Sequence, residues 1–189
     1  MEKTNVSNVE SVLLKKDDKI LFDCNVLMYL FYTYGGYKKD MVRKYTKIFS
    51  DALKTQCQMY IPSIEISEFI NTYSRLEYNR YLRKNNLRAS EFKFKQDYRA
   101  TKDYKELVVD LRNLVNNQIL SVFKKLNDEF ENINIENIYH NPELFDFNDR
   151  YYCKLAEKYG LKIVTNDADF SVIGSGIHII TANTQLISA

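Results

Sequence analysis

Two prolines and five glycines among 189 residues leave little room for flexible linkers. The length allows one domain, or at most two small ones, and the scarcity of linker residues favours a single domain over 1–189. A chain of this size buries roughly 70% of its unfolded surface. The three cysteines, Cys24, Cys57 and Cys153, lie far apart, form no CxxC pair and are odd in number. That excludes a disulfide framework, and the simple reading is a reducing cytoplasm. The longest apolar run, Val26 to Tyr32, is far too short to span a bilayer. The first five residues lack the apolar core of a signal peptide, so a soluble cytoplasmic protein with no membrane partner is expected. No GxxxxGK[ST] loop and no GxGxxG are present, which removes nucleoside triphosphate and dinucleotide readings. Neither charge sign dominates: 27 basic against 25 acidic residues give +2, which does not by itself predict nucleic-acid binding. Tryptophan is absent while tyrosine is frequent at 15, a usage that genomic base composition can produce, so no argument rests on it.

What is present is an alternation of short apolar runs and amphipathic segments of helix length. Residues 1–18 read as a short polar lead-in, with a helical pattern through Val9, Val12 and Leu13. Ile20 to Phe22 is continuously apolar, as in a strand buried on both faces of a parallel sheet. Val26 to Tyr34 reads as a helix ending at Gly35-Gly36. Lys38 to Gln56 is amphipathic, with Met41, Tyr45, Ile48, Phe49 and Ala52 on one face. Met59 to Ile61 is a second strand, and Pro62-Ser63 open a helix whose core stripe is Ile66, Phe69, Ile70 and Tyr73. Residues 74–128 read as two or three more helices, and 131–147 as irregular, with an Asn141-Pro142 turn signal. Asn148 suits the N-cap of a helix from Asp149 to Tyr159, closed by Gly160. Lys162 to Asn166 and Ile177 to Thr181 are further strands. The expectation is an α/β fold: a three-layer α/β/α sandwich with a central, mostly parallel sheet of four to five strands and a helical insertion at about 74–130.

Two of these strands end in an acid, Asp23 and Asp167. Glu68 and Asp149 each sit at the front of a helix. Ligands of open α/β sheets bind outside the carboxyl ends of the strands. Four carboxylates at one such edge repel each other, by about 4 kcal/mol for a pair roughly 4 Å apart at an effective dielectric of 20. A hard cation such as Mg²⁺ or Mn²⁺ would relieve that repulsion. Each acid also has an ordinary explanation. Asp23 could cap the helix that begins near Asn25, and Asp149 and Glu68 could be partners of a helix dipole. Asp167 stands in a turn, where Asn and Asp are favoured on conformational grounds. Glu65 competes with Glu68 on the same helix face, and Asp146 competes with Asp149. Glu68 is preferred because it adjoins the core stripe, and Asp149 because it heads an apolar stripe through Tyr152, Cys153 and Ala156.

The order of these motifs resembles the PIN-domain family of metal-dependent ribonucleases, which includes the toxins of many bacterial toxin–antitoxin pairs. The matching pieces are Leu21-Phe22-Asp23-Cys24-Asn25, Ser63 to Phe69, Asn148-Asp149 through Gly160, and Leu161 to Phe170 with its TNDADF turn. The resemblance covers 19–70 and 145–183, while the stretch from Glu68 to Asp149 is longer than in small toxin-type members. It implies that Asp23, Glu68, Asp149 and Asp167 hold Mg²⁺ or Mn²⁺, with Asp169 as a supporting acid and with Asn25 and Thr165 orienting the others. It implies RNA cleavage by a metal-activated water, and, for a toxin-type member, an antitoxin partner and a homodimer.

From Arg75 to Lys105 ten basic residues stand against four acids, with seven aromatics interleaved from Tyr73 to Tyr104. Arg75, Arg80, Arg83 and Lys84 are the candidate substrate contacts, since basic and aromatic groups together suit single-stranded nucleic acid. A solvated helical face whose aromatics enter the core is the preferred reading for most of this stretch. His178 lies in an apolar strand-like run and reads as structural, and neither it nor His140 is needed for catalysis. Two other functions compete: a non-catalytic PIN-like module binding RNA or protein, and another Mg²⁺-dependent phosphohydrolase of the haloacid-dehalogenase type. The latter wants Asp-x-Asp after the first strand, and here the third position is Asn25.

Overall fold

The computed structural model describes residues 5–128, 130–139, 146–173 and 176–188. His140 and the Asn141-Pro142 turn signal lie outside them. The centre is one sheet of six parallel strands: β1 (Asn5–Asn8), β2 (Lys19–Phe22), β3 (Gln58–Pro62), β4 (Lys124–Leu126), β5 (Lys162–Val164) and β6 (His178–Thr181), in the spatial order β1-β6-β5-β2-β3-β4. Side chains along a strand alternate between the two faces. Ile20, Phe22, Met59, Ile61, Val164 and Ile180 enter one core. Leu21, Ile163 and Ile179 enter the other. Helices α1 (Cys24–Phe31), α2 (Lys39–Thr55), α3 (Ser63–Lys84) and α4 (Lys102–Leu114) cover the first face. Helix α6 (Phe147–Tyr159) and the short α7 (Phe170–Ile173) and α8 (Thr184–Ile187) cover the second. This is the expected three-layer α/β arrangement.

The sheet has six strands rather than four or five because it gains one at each edge. Residues 5–8 are not part of a polar or helical lead-in but form β1, paired with β6 through Val6 and Ile179. Val9 is buried, while Leu13, expected on the same helical stripe, is exposed. At the other edge, Lys124–Leu126 pairs with β3 inside the stretch expected to be helical. Asp128, just beyond β4, accepts hydrogen bonds from the Ser63 hydroxyl and, at 3.2 Å, from the Ser63 N–H. The start of α3, which Pro62 cannot cap, is satisfied in this way from the edge strand.

Between α3 and β4 the chain is mostly helical. Helix α4 passes through a π turn at Val115–Ile119 into α5 (Leu120–Val122). Helix α1 ends at Phe31, earlier than Gly35-Gly36. Helix α6 begins at Phe147, not Asp149, because Asp146 and not Asn148 is its N-cap: the Asp146 carboxylate accepts the N–H of Asn148 at 2.8 Å. No described helix is long and apolar enough to cross a membrane. All three cysteines are free and buried.

The topology dictates where a ligand can enter. From β2 the chain crosses to β3 on one side, while β5 and β6 lie on the other. Strand β2 is therefore at the switch point of an open parallel sheet, and Asp23 and Thr165 follow the adjacent ends of β2 and β5.

Candidate metal centre

Asp23 occupies the N-cap position of α1, yet its side chain makes no capping bond. Its carboxylate instead accepts from Thr165 Oγ1 at 2.6 Å and from the Asn25 amide. Asn25 Oδ1 accepts the Asn166 N–H at 3.1 Å, and Thr165 Oγ1 accepts the Asp167 N–H at 2.9 Å. The two strand tips are thus stitched together around one buried carboxylate.

Glu68 arrives from α3, half-buried. Its Oε2 accepts from Asn148 Nδ2 at 2.7 Å and from Tyr152 Oη at 2.8 Å, both on α6. Asp149 stands in the first turn of α6. Asp23, Glu68, Asp149 and Asp167 line one cavity of about 290 Å³. Asp146 also lines it, but its carboxylate is engaged as the cap of α6. Met28, Tyr29, Tyr37 and Thr72 form other parts of the wall.

Burial dominates the electrostatics, and mutual repulsion adds to it. Asp23 is pushed up to about 7 by desolvation, with Glu68 and Asp167 adding to the rise. Asp149 is pushed up to about 8 by desolvation, then by Asp23, Asp146, Asp167 and Glu68. Beneath them Glu65 is wholly buried, and among the described residues neither of its oxygens has a hydrogen-bond partner. The Tyr152 hydroxyl lies near, but its single proton goes to Glu68. Desolvation, then Asp23 and Glu68, hold Glu65 well above the usual carboxylate range.

This donor set fits a hard divalent cation. It is all oxygen, and burial together with the neighbouring carboxylates raises the pKa of Asp23 and Asp149, which a counter-charge would relieve. Among the described residues no three acidic, histidine or cysteine side chains stand close enough together to hold a metal ion as they are placed. An open arrangement suits Mg²⁺, which keeps several waters and binds through one or two carboxylates plus substrate phosphate.

The other expected site residues lie elsewhere. Asp169 is exposed, and it meets Asp167 through its backbone N–H at 3.0 Å rather than through its carboxylate. Arg75 stacks over Phe94 at 4.1 Å. Arg80 lies 3.8 Å over Tyr34 and pairs with Glu77 at 3.1 Å. Arg80 and Lys84 border a separate cavity of about 250 Å³, and Arg83 is exposed. The aromatics of this stretch pack on each other, with Tyr78, Phe94 and Tyr98 buried and their ring centroids 5.4 to 5.8 Å apart. The core reading of those rings holds. Tyr152 and Asn148 were missed as partners of Glu68. Position 152 stood in the stripe headed by Asp149, where its ring signals core and its hydroxyl gives no separate signal.

No curated protein and no solved structure matches the chain. The family model of the PIN domain matches residues 20–175, which include all four acids of the cavity. The chain belongs to the PIN-domain family of metal-dependent nucleases.

Proposed function

We propose that this chain is a Mg²⁺- or Mn²⁺-dependent endoribonuclease of the cytoplasm, built as one PIN domain with a helical insert at about 74–130. The observation that carries the reading is the meeting of Asp23, Glu68, Asp149 and Asp167, from four separate segments, in one cavity at the carboxyl edge of the sheet. These four residues would hold the metal. When bound, the metal lowers the pKa of a water and stabilises charge on the phosphate and the leaving oxygen.

The remaining work falls to the protein. Thr165 and Asn25 fix the rotamer of Asp23 and favour its ionised form by donating to it. Asn148 and Tyr152 donate to Glu68 and fix its position, so that α3 and α6 are held at one spacing. Burial limits the water around the carboxylates, which strengthens their hold on a cation.

The test is cleavage of total tRNA and of a single-stranded RNA by purified protein with Mg²⁺ or Mn²⁺, beside an EDTA control. Asp167→Asn is expected to lower the rate at least on the order of a hundredfold, the usual scale for losing a charge-stabilising group at a reacting centre. Metal binding with an unaltered rate in Asp167→Asn would sink the assignment of the site. A well-folded protein that neither cuts nor binds metal would be a non-catalytic module. In a toxin-type member, expression arrests growth, Asp167→Asn relieves the arrest, and an antitoxin encoded by a small neighbouring gene binds the protein. Growth unaffected by expression would point to RNA processing instead.

A further inference from the structure

The cavity of about 250 Å³ lies between α3 and α4, and none of the four acids of the metal centre lines it. Its walls carry both charge signs. Glu77, Arg80 and Lys84 come from α3, and Asp103, Glu106 and Asp110 from α4. Four acids thus face two bases, and several of these charges are already matched. Arg80 pairs with Glu77 and lies over the Tyr34 ring. Glu77 also accepts the Tyr32 hydroxyl at 2.9 Å. Glu106 pairs with Lys102 at 3.3 Å. Among the described residues the Asp103 and Asp110 carboxylates have no ion-pair or hydrogen-bond partner. Tyr98 is an independent observation. It opens the 3₁₀ turn before α4, is 2% exposed, and its ring packs on Tyr78, Phe94 and Tyr104. Tyr98 lines the cavity, yet among the described residues its hydroxyl has no hydrogen-bond partner. Burial first, then Glu77 and Asp103, push this hydroxyl up to about 12, as expected of a group set beside those carboxylates. A buried hydroxyl without a partner is destabilising, so a donor or acceptor from a ligand would be favourable there.

The spacing of the acceptors narrows the ligand. Asp103 and Asp110 stand two turns apart on α4, about 10 Å along the helix axis. The buried Leu107 lies between them in the same wall. Phosphate is repelled by the excess of acids, which removes Arg80 and Lys84 as good seats for RNA. A compact cation would match one acid and leave the other acid and the apolar stretch unused. An aliphatic polyamine carries ammonium groups at both ends, each with three donors, and methylenes between them. We propose that the cavity between α3 and α4 binds an aliphatic polyamine of spermidine length, with one terminal ammonium at Asp103 and the Tyr98 hydroxyl, the other at Asp110, and methylenes along Leu107. The site stands apart from the nuclease reading and gives the helical insert a ligand of its own.

The experiment is calorimetric titration of spermidine into the full chain, freed of RNA and of metal, beside the same titration with putrescine. One spermidine per chain is expected, with putrescine weaker because it is too short to reach both acids. Asp110→Asn and Tyr98→Phe should each weaken spermidine binding about tenfold or more, the scale of a hydrogen bond to a charged group. Asp110 is exposed, so its substitution leaves the core untouched. Tyr98→Phe removes a hydroxyl that holds no other group of the described residues, so its melting temperature should not fall. Asp167→Asn should bind spermidine as the parent chain does. The proposal is overturned by absence of binding, by equal binding of the two amines, or by an affinity that survives Asp110→Asn. It is overturned as well if Tyr98→Phe weakens binding only together with a lower melting temperature, which a purely structural role would produce. Affinity lost in Asp167→Asn would put the amine among the acids of the metal centre and would equally overturn it. None of these outcomes depends on whether the chain cuts RNA.

Discussion

Glu65 and Glu68 are three residues apart on one face of α3, yet they face different fates. Glu68 is half-buried, reaches the cavity and is held by two donors from α6. Glu65 is wholly buried, without a hydrogen-bond partner among the described residues. A buried acid without a partner destabilises the fold by about 1–3 kcal/mol or more. Glu65→Leu replaces it by an apolar side chain of similar bulk, so the metal-free protein is expected to gain about 1–3 kcal/mol. Urea unfolding in EDTA reads this directly, and a lower midpoint in the variant would refute it. The four cavity acids were legible in the sequence because each stands at a strand tip or helix start. The choice between Glu65 and Glu68 rested on adjacency to the core stripe, and burial separates the two only in three dimensions. Asn148 was legible as a polar residue at a helix start, but its partner across α3 was not, because spacing in sequence carries no information about a contact 80 positions away.

At the level of elements, the legible ones are those whose apolar pattern is long enough to have a period. Helix α2, with its stripe from Met41 to Ala52, and the buried strands β2, β3, β5 and β6 were readable to within a few residues. The edge strands were not. Asn5–Asn8 contains one aliphatic residue, and Lys124–Leu126 opens with two exposed lysines. Edge strands that are very short or carry lysines protect a sheet against pairing with other chains, and the same properties hide them from pattern reading. Helix α6 shows how strongly local signals set a boundary that matters for the site. Its N-terminus presents Asp149 to the cavity and Asn148 and Tyr152 to Glu68, and its end is set by Gly160 at φ 64°, where the chain turns into β5. A Cβ at Gly160 would meet nothing within 4 Å, so the cost of a side chain there is backbone strain alone. Gly160→Ala is expected to destabilise by about 1 kcal/mol, as a lower urea midpoint with an unchanged slope. Cleavage below the melting range should be unaffected. A loss of activity without a loss of stability would mean that this turn positions the site more tightly than its geometry indicates.

The whole molecule converts these placements into a dependence on pH and metal. Asp23 and Asp149, at about 7 and about 8, hold protons in the folded state that the unfolded chain releases near pH 4. Their stabilising contribution is therefore complete below about pH 4 and is lost as pH rises through 7 to 8. For Asp23 alone the change is on the order of 4 kcal/mol. His178 acts in the opposite sense at lower pH. Burial, then Lys162, lowers its pKa, so its contribution is present above about pH 6.5 and is lost as pH falls. The two effects separate above that point, where the acids dominate. The metal-free protein should melt at a progressively lower temperature from about pH 6.5 to 8.5. A divalent cation pairs with the ionised carboxylates and displaces their protons, so its stabilisation should grow over the same interval and flatten the profile. Melting curves in EDTA and in saturating Mg²⁺ across this range decide the matter. Parallel profiles would mean that the cavity acids do not bind the ion. A metal-free melting temperature that rises with pH would mean that they are ionised without it, and that their burial is offset by contacts other than a cation.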